Sequence, residues 1–334
     1  MKIQQTQVVD ILKTTFVPNE KKLLLSFGSL NEVEVKGNNV YISLAITETS
    51  QDNIQKLKDV ISNRLRQIGA EEINIEVILR KQQQIKNIIA IASGKGGVGK
   101  STVTTNIAVA LAKLGKKVGI LDADIYGPNI PIMFGISDLP KVNEEKKLVP
   151  LEKFSVKIIS LGFLLEENST PVIWRGPLAT KAIEQLYNDV AWGELDFLLV
   201  DLPPGTGDVA LTVAQSLPPK YAIIVTTPQN VSIADASKAL SMMKQMNIEV
   251  LGIIENMSYF VCPNCGSSYE IFGSGGGERI SEQFEVVLLG KLPLEINTRE
   301  GGDTGVPALE IPGNLTSKEI YIDIAKTIIN KTRA

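Results

Sequence analysis

The chain has 334 residues, 44% of them hydrophobic, which is long for one compact domain and sufficient for two cores. Its formal charge of −3 argues against the broad basic surface that neutralises phosphates, so nucleic acid is not an expected partner. The absence of histidine removes Ser-His, Cys-His and His-metal chemistry, leaving Asp, Glu, Lys, backbone amides, metals and thiolates.

No stretch approaches the ~20 uninterrupted apolar residues of a membrane span. The opening MKIQQTQVVD also lacks the charged-then-apolar order of a secretory signal. A cytoplasmic protein with no membrane partner is expected. From Gln4 to Lys13 the pattern is an amphipathic helix with Val8, Ile11 and Leu12 on one face. Three strand-like runs follow, LLLSF from Leu23, VEV from Val33 and VYISLAI from Val40, separated by Gly28 and by Gly37-Asn38-Asn39. A second helical pattern runs from Gln51 to Gln67, and INIEVIL from Ile73 reads as a closing strand. These elements predict a small α/β domain over residues 1–80, and the polar stretch 81–86 is the linker candidate.

Residues 87–334 then alternate buried strand-like runs, among them VGILDAD, VKIISLG, FLLVDLP, AIIVTTP, VLGIIEN and VVLLG, with helical segments. Runs apolar on both faces and separated by helices predict a mostly parallel α/β sheet covered by helices on both sides.

Gly94-Lys95-Gly96-Gly97-Val98-Gly99-Lys100-Ser101 satisfies the P-loop pattern and sits between the strand IIAIA and a helix through Leu114. Glycines at these positions let backbone N–H groups curl around phosphates, Lys100 reaches the terminal phosphates, and Ser101 can ligate Mg²⁺. The nucleotide site is therefore read as Gly94 through Thr102, with Asp201, at the end of FLLVD, as the distal magnesium carboxylate. Lys95 is the departure from a generic P-loop. It resembles the deviant Walker A lysine of the MinD, partition-ATPase and nitrogenase-iron-protein class, which implies a reach across a dimer interface to the partner's nucleotide. Asp122-Ala123-Asp124 and Asp201 through Asp208 resemble that class's two switch segments. By that resemblance Asp124 orients the attacking water, Asp122 is structural or linked to Mg²⁺, and Asn256 contacts adenine. Lys95, Lys100 and Asp124 are the catalytic candidates.

Cys262-Pro263-Asn264-Cys265 is the only cysteine pair, and its motif alone fits half a zinc site, a redox dithiol or a cluster ligand pair. Tetrahedral zinc takes four protein ligands and a 4Fe-4S cluster commonly four thiolates, so one chain with two cysteines and no histidine cannot close either site. A twofold dimer presents the pair twice.

KGGVGKST, ILDADIYGPNIP, WRGP, LDFLLVDLPPGTGD, TTPQNVSIADASKA, ENMSYFVCPNCGSSYEIFGSGGG, LGKLPLE and REGGDTG occur in this order. Together they resemble the Mrp/ApbC family of ATP-dependent iron–sulfur cluster carriers from about Asn87 to the C-terminus. The resemblance implies a homodimer that binds ATP, holds a labile 4Fe-4S cluster at Cys262 and Cys265, and passes it to apo-proteins. Assembly scaffolds and recipient enzymes are the implied partners. The N-terminal segment is similar to the small domain often fused ahead of this ATPase. It has VPNEKK and ITETSQDN where the resemblance leads one to look for Asp-Pro-Glu and a cysteine, so recruitment or packing is its expected role. The rival readings are a MinD or partition-type positioning ATPase, an electron-transfer ATPase like the nitrogenase iron protein, and a zinc-bridged dimeric ATPase. Trp174-Arg175-Gly176-Pro177 and Arg299 to Gly305 receive no assigned role, and the last helix, EIYIDIAKTIIN, is expected to dock on the core.

Overall fold

A computed structural model describes residues 3–18, 22–24, 28–47, 50–80, 84–163, 176–217, 219–313 and 315–333. Contacts divide the chain into two units, Met1–Gln82 and Gln83–Ala334.

The first unit runs α1 (Gln5–Lys13), β1 (Phe16–Val17), β2 (Lys22–Leu23), β3 (Gly28–Lys36), β4 (Asn39–Thr47), α2 (Gln51–Gln67) and β5 (Ile73–Arg80). Strands β3 and β4 form an antiparallel hairpin closed at Lys36↔Asn39, with Gly37 at φ +68° supplying the left-handed residue of a two-residue turn. Strand β5 returns parallel to β4 after α2, whose first turn is capped by Ser50 Oγ accepting from Asn53 N at 3.3 Å. Alternation along β4 sends Val40, Ile42, Leu44 and Ile46 into a core with Val8, Leu12, Leu57, Ile61 and Leu65. The run expected from Leu23 yields only the two-residue β2, paired with β1, among the described residues.

The second unit continues with β6 (Ile85–Ser93), α3 (Lys100–Lys113), β7 (Val118–Asp122), α4 (Ile130–Phe134), β8 (Leu151–Lys153), β9 (Val156–Ser160), α5 (Gly176–Asn188) and β10 (Leu195–Asp201). It follows with α6 (Asp208–Ser216), β11 (Tyr221–Thr226), α7 (Asn230–Gln245), β12 (Glu249–Glu255), β13 (Phe260–Val261), β14 (Ser268–Tyr269), α8 (Gly276–Phe284), β15 (Leu288–Lys291), α9 (Ile296–Thr304) and α10 (Thr316–Thr332). Strand β6 begins at Ile85, within the stretch read from sequence as a linker.

Eight strands make one sheet in the order β15-β12-β11-β6-β10-β7-β9-β8, parallel except for β8. The apolar runs are continuous because both faces are covered. On β6, Ile88, Ala90 and Ala92 pack with Leu240 and Met243 of α7, while Ile89 and Ile91 pack on the other side with Val103, Ile107 and Leu111 of α3. Helix α10 docks on that second side through Tyr321, Ile324, Ala325 and Ile328, as its pattern led one to expect.

Parallel register lines up the carboxyl ends of the strands. Asp201 on β10 is level with Ile91 on β6 and with Asp122 on β7. The loops after β6, β7, β10 and β12 therefore converge at one edge, where an open α/β sheet binds its ligand.

Candidate functional site

The loop between β6 and α3 is shaped by glycine at two points. A Cβ on Gly94 would lie 2.1 Å from the Asp235 carbonyl carbon of α7, so only glycine lets the loop lie against that helix. Gly99 caps α3 at φ +81°, and a Cβ there would meet Asn256 Nδ2 at 2.3 Å. Val98 between them is buried. The loop is tied to the segment after β10, since Gly205 N donates to the Ser93 carbonyl at 3.0 Å.

Helix α3 presents Lys100, Ser101 and Thr104 to Asp201, which is completely buried. Ser101 Oγ donates to Asp201 Oδ2 and Thr104 Oγ1 to Asp201 Oδ1, each at 2.6 Å. Lys100 Nζ lies 2.7 Å from Asp201 Oδ2 and 3.9 Å from Asp124 Oδ2. Its approach to Asp201 is an ion pair without hydrogen-bond geometry, so the buried ammonium has no directed acceptor. A buried cation with uncommitted donors beside a glycine loop at a helix N-terminus fits a phosphate ester. Ser101, oriented by Asp201, fits a hydroxyl ligand to a magnesium ion. Thr102 follows on the first turn of α3, half-buried.

The two aspartates after β7 differ. Asp122 is buried and accepts from Ser160 Oγ at 2.9 Å, Asp124 N at 3.2 Å and Ile130 N at 3.3 Å. It thereby ties the segment after β7 to β9 and to the start of α4. Burial foremost, and then the Asp201 charge, push its carboxyl up to about 8. Asp124 accepts from Tyr126 N at 3.3 Å; burial raises its carboxyl too, opposed by the charge of Lys100.

Lys95 is half-buried, and its Nζ lies 3.4 Å from Gln229 Oε1 at the N-terminus of α7. Asn256 takes a position that the sequence does not announce. Its amide donates to the Val98 carbonyl at 2.9 Å, bracing the phosphate loop from the end of β12.

Cys262 and Cys265 occupy the turn of a small antiparallel hairpin, β13 and β14, rather than an open loop. The turn closes through Cys262 N donating to the Ser267 carbonyl and Gly266 N to the Cys262 carbonyl, both at 2.9 Å. Cys265 is exposed, with Sγ 3.3 Å from Ser267 Oγ; the Ser267 hydroxyl and N–H, then the Cys262 thiol, lower its pKa. Exposed Val261, Tyr269 and Ile271 flank the pair. Among the described residues, no group of three or more His, Cys, Asp or Glu side chains could hold a metal ion.

The nucleotide candidates thus converge at one edge of the sheet, while the cysteines project on their own hairpin. Sequence reasoning missed Thr104, one helical turn after Ser101 and so on the same face, and Ser160, Gln229 and Glu255. The Arg299–Gly305 segment now has a packing account. Helix α9 ends at Gly305, φ +76°, where a Cβ would come within 2.3 Å of Gly135 at the end of α4. Arg175 lies outside the described residues.

Fold and phosphate loop together define a P-loop NTPase of the MinD/ParA-like class. The MinD cell division ATPase of Pyrococcus furiosus is similar at 25% identity and a TM-score of 0.57, over 74% of this chain and 99% of that one. A nucleotide-binding protein from Archaeoglobus fulgidus, in complex with ADP, is similar at 43% identity and a TM-score of 0.61, over 68% of this chain and 90% of that one. The family described as "ParA: NUBPL iron-transfer P-loop NTPase" matches residues 84–329. An iron–sulfur cluster carrier protein of Helicobacter pylori is 40% identical over 98% of this chain and 92% of its own length. The chain belongs to this family of iron–sulfur cluster carrier P-loop NTPases.

Proposed function

We propose that the chain is an ATP hydrolase that holds a 4Fe-4S cluster between two copies of itself and delivers it to apo-proteins, with hydrolysis as the conformational switch. The observation that carries this reading is the ligand inventory at the exposed hairpin. Cys262 and Cys265 are the only cysteines, histidine is absent, and two copies supply the four thiolates that one chain lacks. The lowered Cys265 pKa favours the thiolate that iron requires.

At the nucleotide, the phosphate loop and Lys100 bind the triphosphate. Ser101 would hold magnesium with Asp201 behind it, and the metal would neutralise charge on the phosphates. Asp124, beside Lys100, orients water. Lys95, whose Nζ meets Gln229 at the weak distance of 3.4 Å, can exchange that partner for the nucleotide of the second copy. Asp122 holds the switch segment in place through Ser160 and Ile130, and Asn256 serves the nucleotide through the loop it braces. The first unit serves recruitment of scaffolds or recipients.

Anaerobic reconstitution with iron and sulfide tests the reading. Wild type should hold four irons per two chains and pass them to an apo-acceptor; the double variant Cys262→Ala/Cys265→Ala should hold none while still binding nucleotide. Four irons retained in that variant would sink the shared site. A colourless, iron-free dimer would favour zinc.

A further inference from the structure

Two consecutive residues at the end of β12 join the phosphate loop to the cysteine hairpin. Asn256 donates to the Val98 carbonyl at 2.9 Å, and its amide occupies the space that a Cβ on Gly99 would need. Glu255 is 1% exposed, and its two carboxylate oxygens hold different stretches of chain. Oε1 accepts from Ser258 Oγ at 2.8 Å, where the backbone departs for the hairpin. Oε2 accepts from Gly277 N at 2.5 Å, where the backbone returns in the first turn of α8.

The glycine-rich return is built around this contact. A Cβ on Gly277 would lie 3.0 Å from Glu255 Oε2, and one on Gly276 would lie 2.6 Å from the Pro228 carbonyl oxygen. Met257, between the loop brace and the departing chain, adopts φ 55°, a left-handed conformation uncommon outside glycine. Such a residue persists only where its surroundings over-determine it, and here both neighbours are fixed by their side chains. Consecutive residues thus hold the phosphate loop on one side and both ends of the cysteine segment on the other.

We propose that Glu255 is a positioning residue for Cys262 and Cys265, and that the Glu255–Ser258 turn couples nucleotide occupancy to the state of the cysteine pair. The idea rests on the proposed function in taking that pair as the working end. Coupling of this kind is reciprocal for binding, so occupation of the thiols shifts nucleotide affinity by the same factor.

The test uses cluster-free protein and the rate at which a small aromatic disulfide reagent modifies Cys262 and Cys265, with and without magnesium and a non-hydrolysable ATP analogue. In wild type the nucleotide should change that rate about fivefold or more, within the usual range of coupling. Glu255→Ala should bring the ratio to one while binding the analogue within about twofold of wild type. Glu255→Gln, which keeps an acceptor for Gly277 and a partner for Ser258, should restore it. If Glu255→Ala does not fold, Ser258→Ala decides, because it removes one arm and should lower the ratio by at least about half. A wild-type ratio of one, or a wild-type ratio retained in a folded Glu255→Ala or Ser258→Ala chain, overturns the coupling. Cluster loading is read separately. Failure to load iron with a nucleotide-dependent thiol rate sinks only the carrier reading, and loading with a nucleotide-independent rate sinks only the coupling.

Discussion

At Asp201 a single carboxylate accepts from two hydroxyls of one helix turn, Ser101 and Thr104, and pairs by charge with Lys100, whose donors stay uncommitted. Removing Lys100 leaves Asp201 buried without its cation, a loss of several kcal/mol for buried pairs, offset here by the two hydroxyl donors. Lys100→Ala should therefore abolish nucleotide binding by calorimetry and also lower the urea midpoint. A chain that loses only binding would mean that the pair contributes nothing to the apo fold. Asp122 gives a prediction in pH. Its carboxyl is raised from an ordinary 3.8 to about 8 in the folded chain, foremost by burial. Between these values the unfolded chain gives up a proton that the folded chain keeps, so the unfolded state binds fewer protons and stability falls as pH rises. Asp124, raised by burial as well, acts in the same direction. Exposed Glu194 and half-buried Asp196, lowered by lysine contacts, act in the opposite direction, Glu194 only weakly because its pair is solvent-screened. In magnesium- and nucleotide-free buffer the urea midpoint should drop from pH 5 to pH 8, and Asp122→Asn should flatten the slope. An equal slope in the variant would assign the dependence elsewhere.

At the scale of elements, α4 and α9 cross closely because each ends in a left-handed glycine, Gly135 at φ +55° and Gly305 at φ +76°. Helix α4 follows Asp124, so this crossing supports the segment that the proposed function takes as a nucleotide switch. Gly305→Ala combines a strained φ with a backbone clash and should cost at least about 2 kcal/mol in chemical denaturation. Gly302, inside α9, has nothing within 4 Å of its missing Cβ, so Gly302→Ala should be neutral or stabilising by up to about 1 kcal/mol. Equal costs at both positions would show that packing does not decide. What was legible in the sequence follows the same division. The phosphate loop, its strand and helix, and Asp201 at a strand end were readable because local pattern fixes them, and so was the docking face of α10. The Lys95–Gln229 contact spans 134 positions, Glu255 and Gly277 are 22 apart, and of the two glycines at the α4–α9 crossing Gly305 ends REGGDTG while Gly135 lies outside every motif. No periodicity encodes such meetings, which is why REGGDTG can be matched but not explained from sequence, and why the bond of Asn256 to Val98 is not readable from ENMS.

For the whole molecule, the proposed shared site would make assembly part of the chemistry. If the four thiolates come from two chains, then the cluster binds the dimer and not the monomer, and mass action ties cluster occupancy to protein concentration. Diluted, loaded protein should lose iron, and its dimer should persist to lower concentration than the cluster-free chain does in sedimentation velocity. Exposed Val261, Tyr269 and Ile271 around the hairpin add apolar surface that a second copy can cover, so the gain need not come from metal bonds alone. Tyr269→Glu separates the two contributions. It places a charge beside the hairpin without removing a ligand, so it should weaken the loaded dimer while leaving the iron stoichiometry per dimer unchanged. Iron bound at full stoichiometry by a sedimenting monomer, in wild type or in this variant, would mean that the cluster finds its remaining ligands outside the protein, and the second copy would lose its role in holding it.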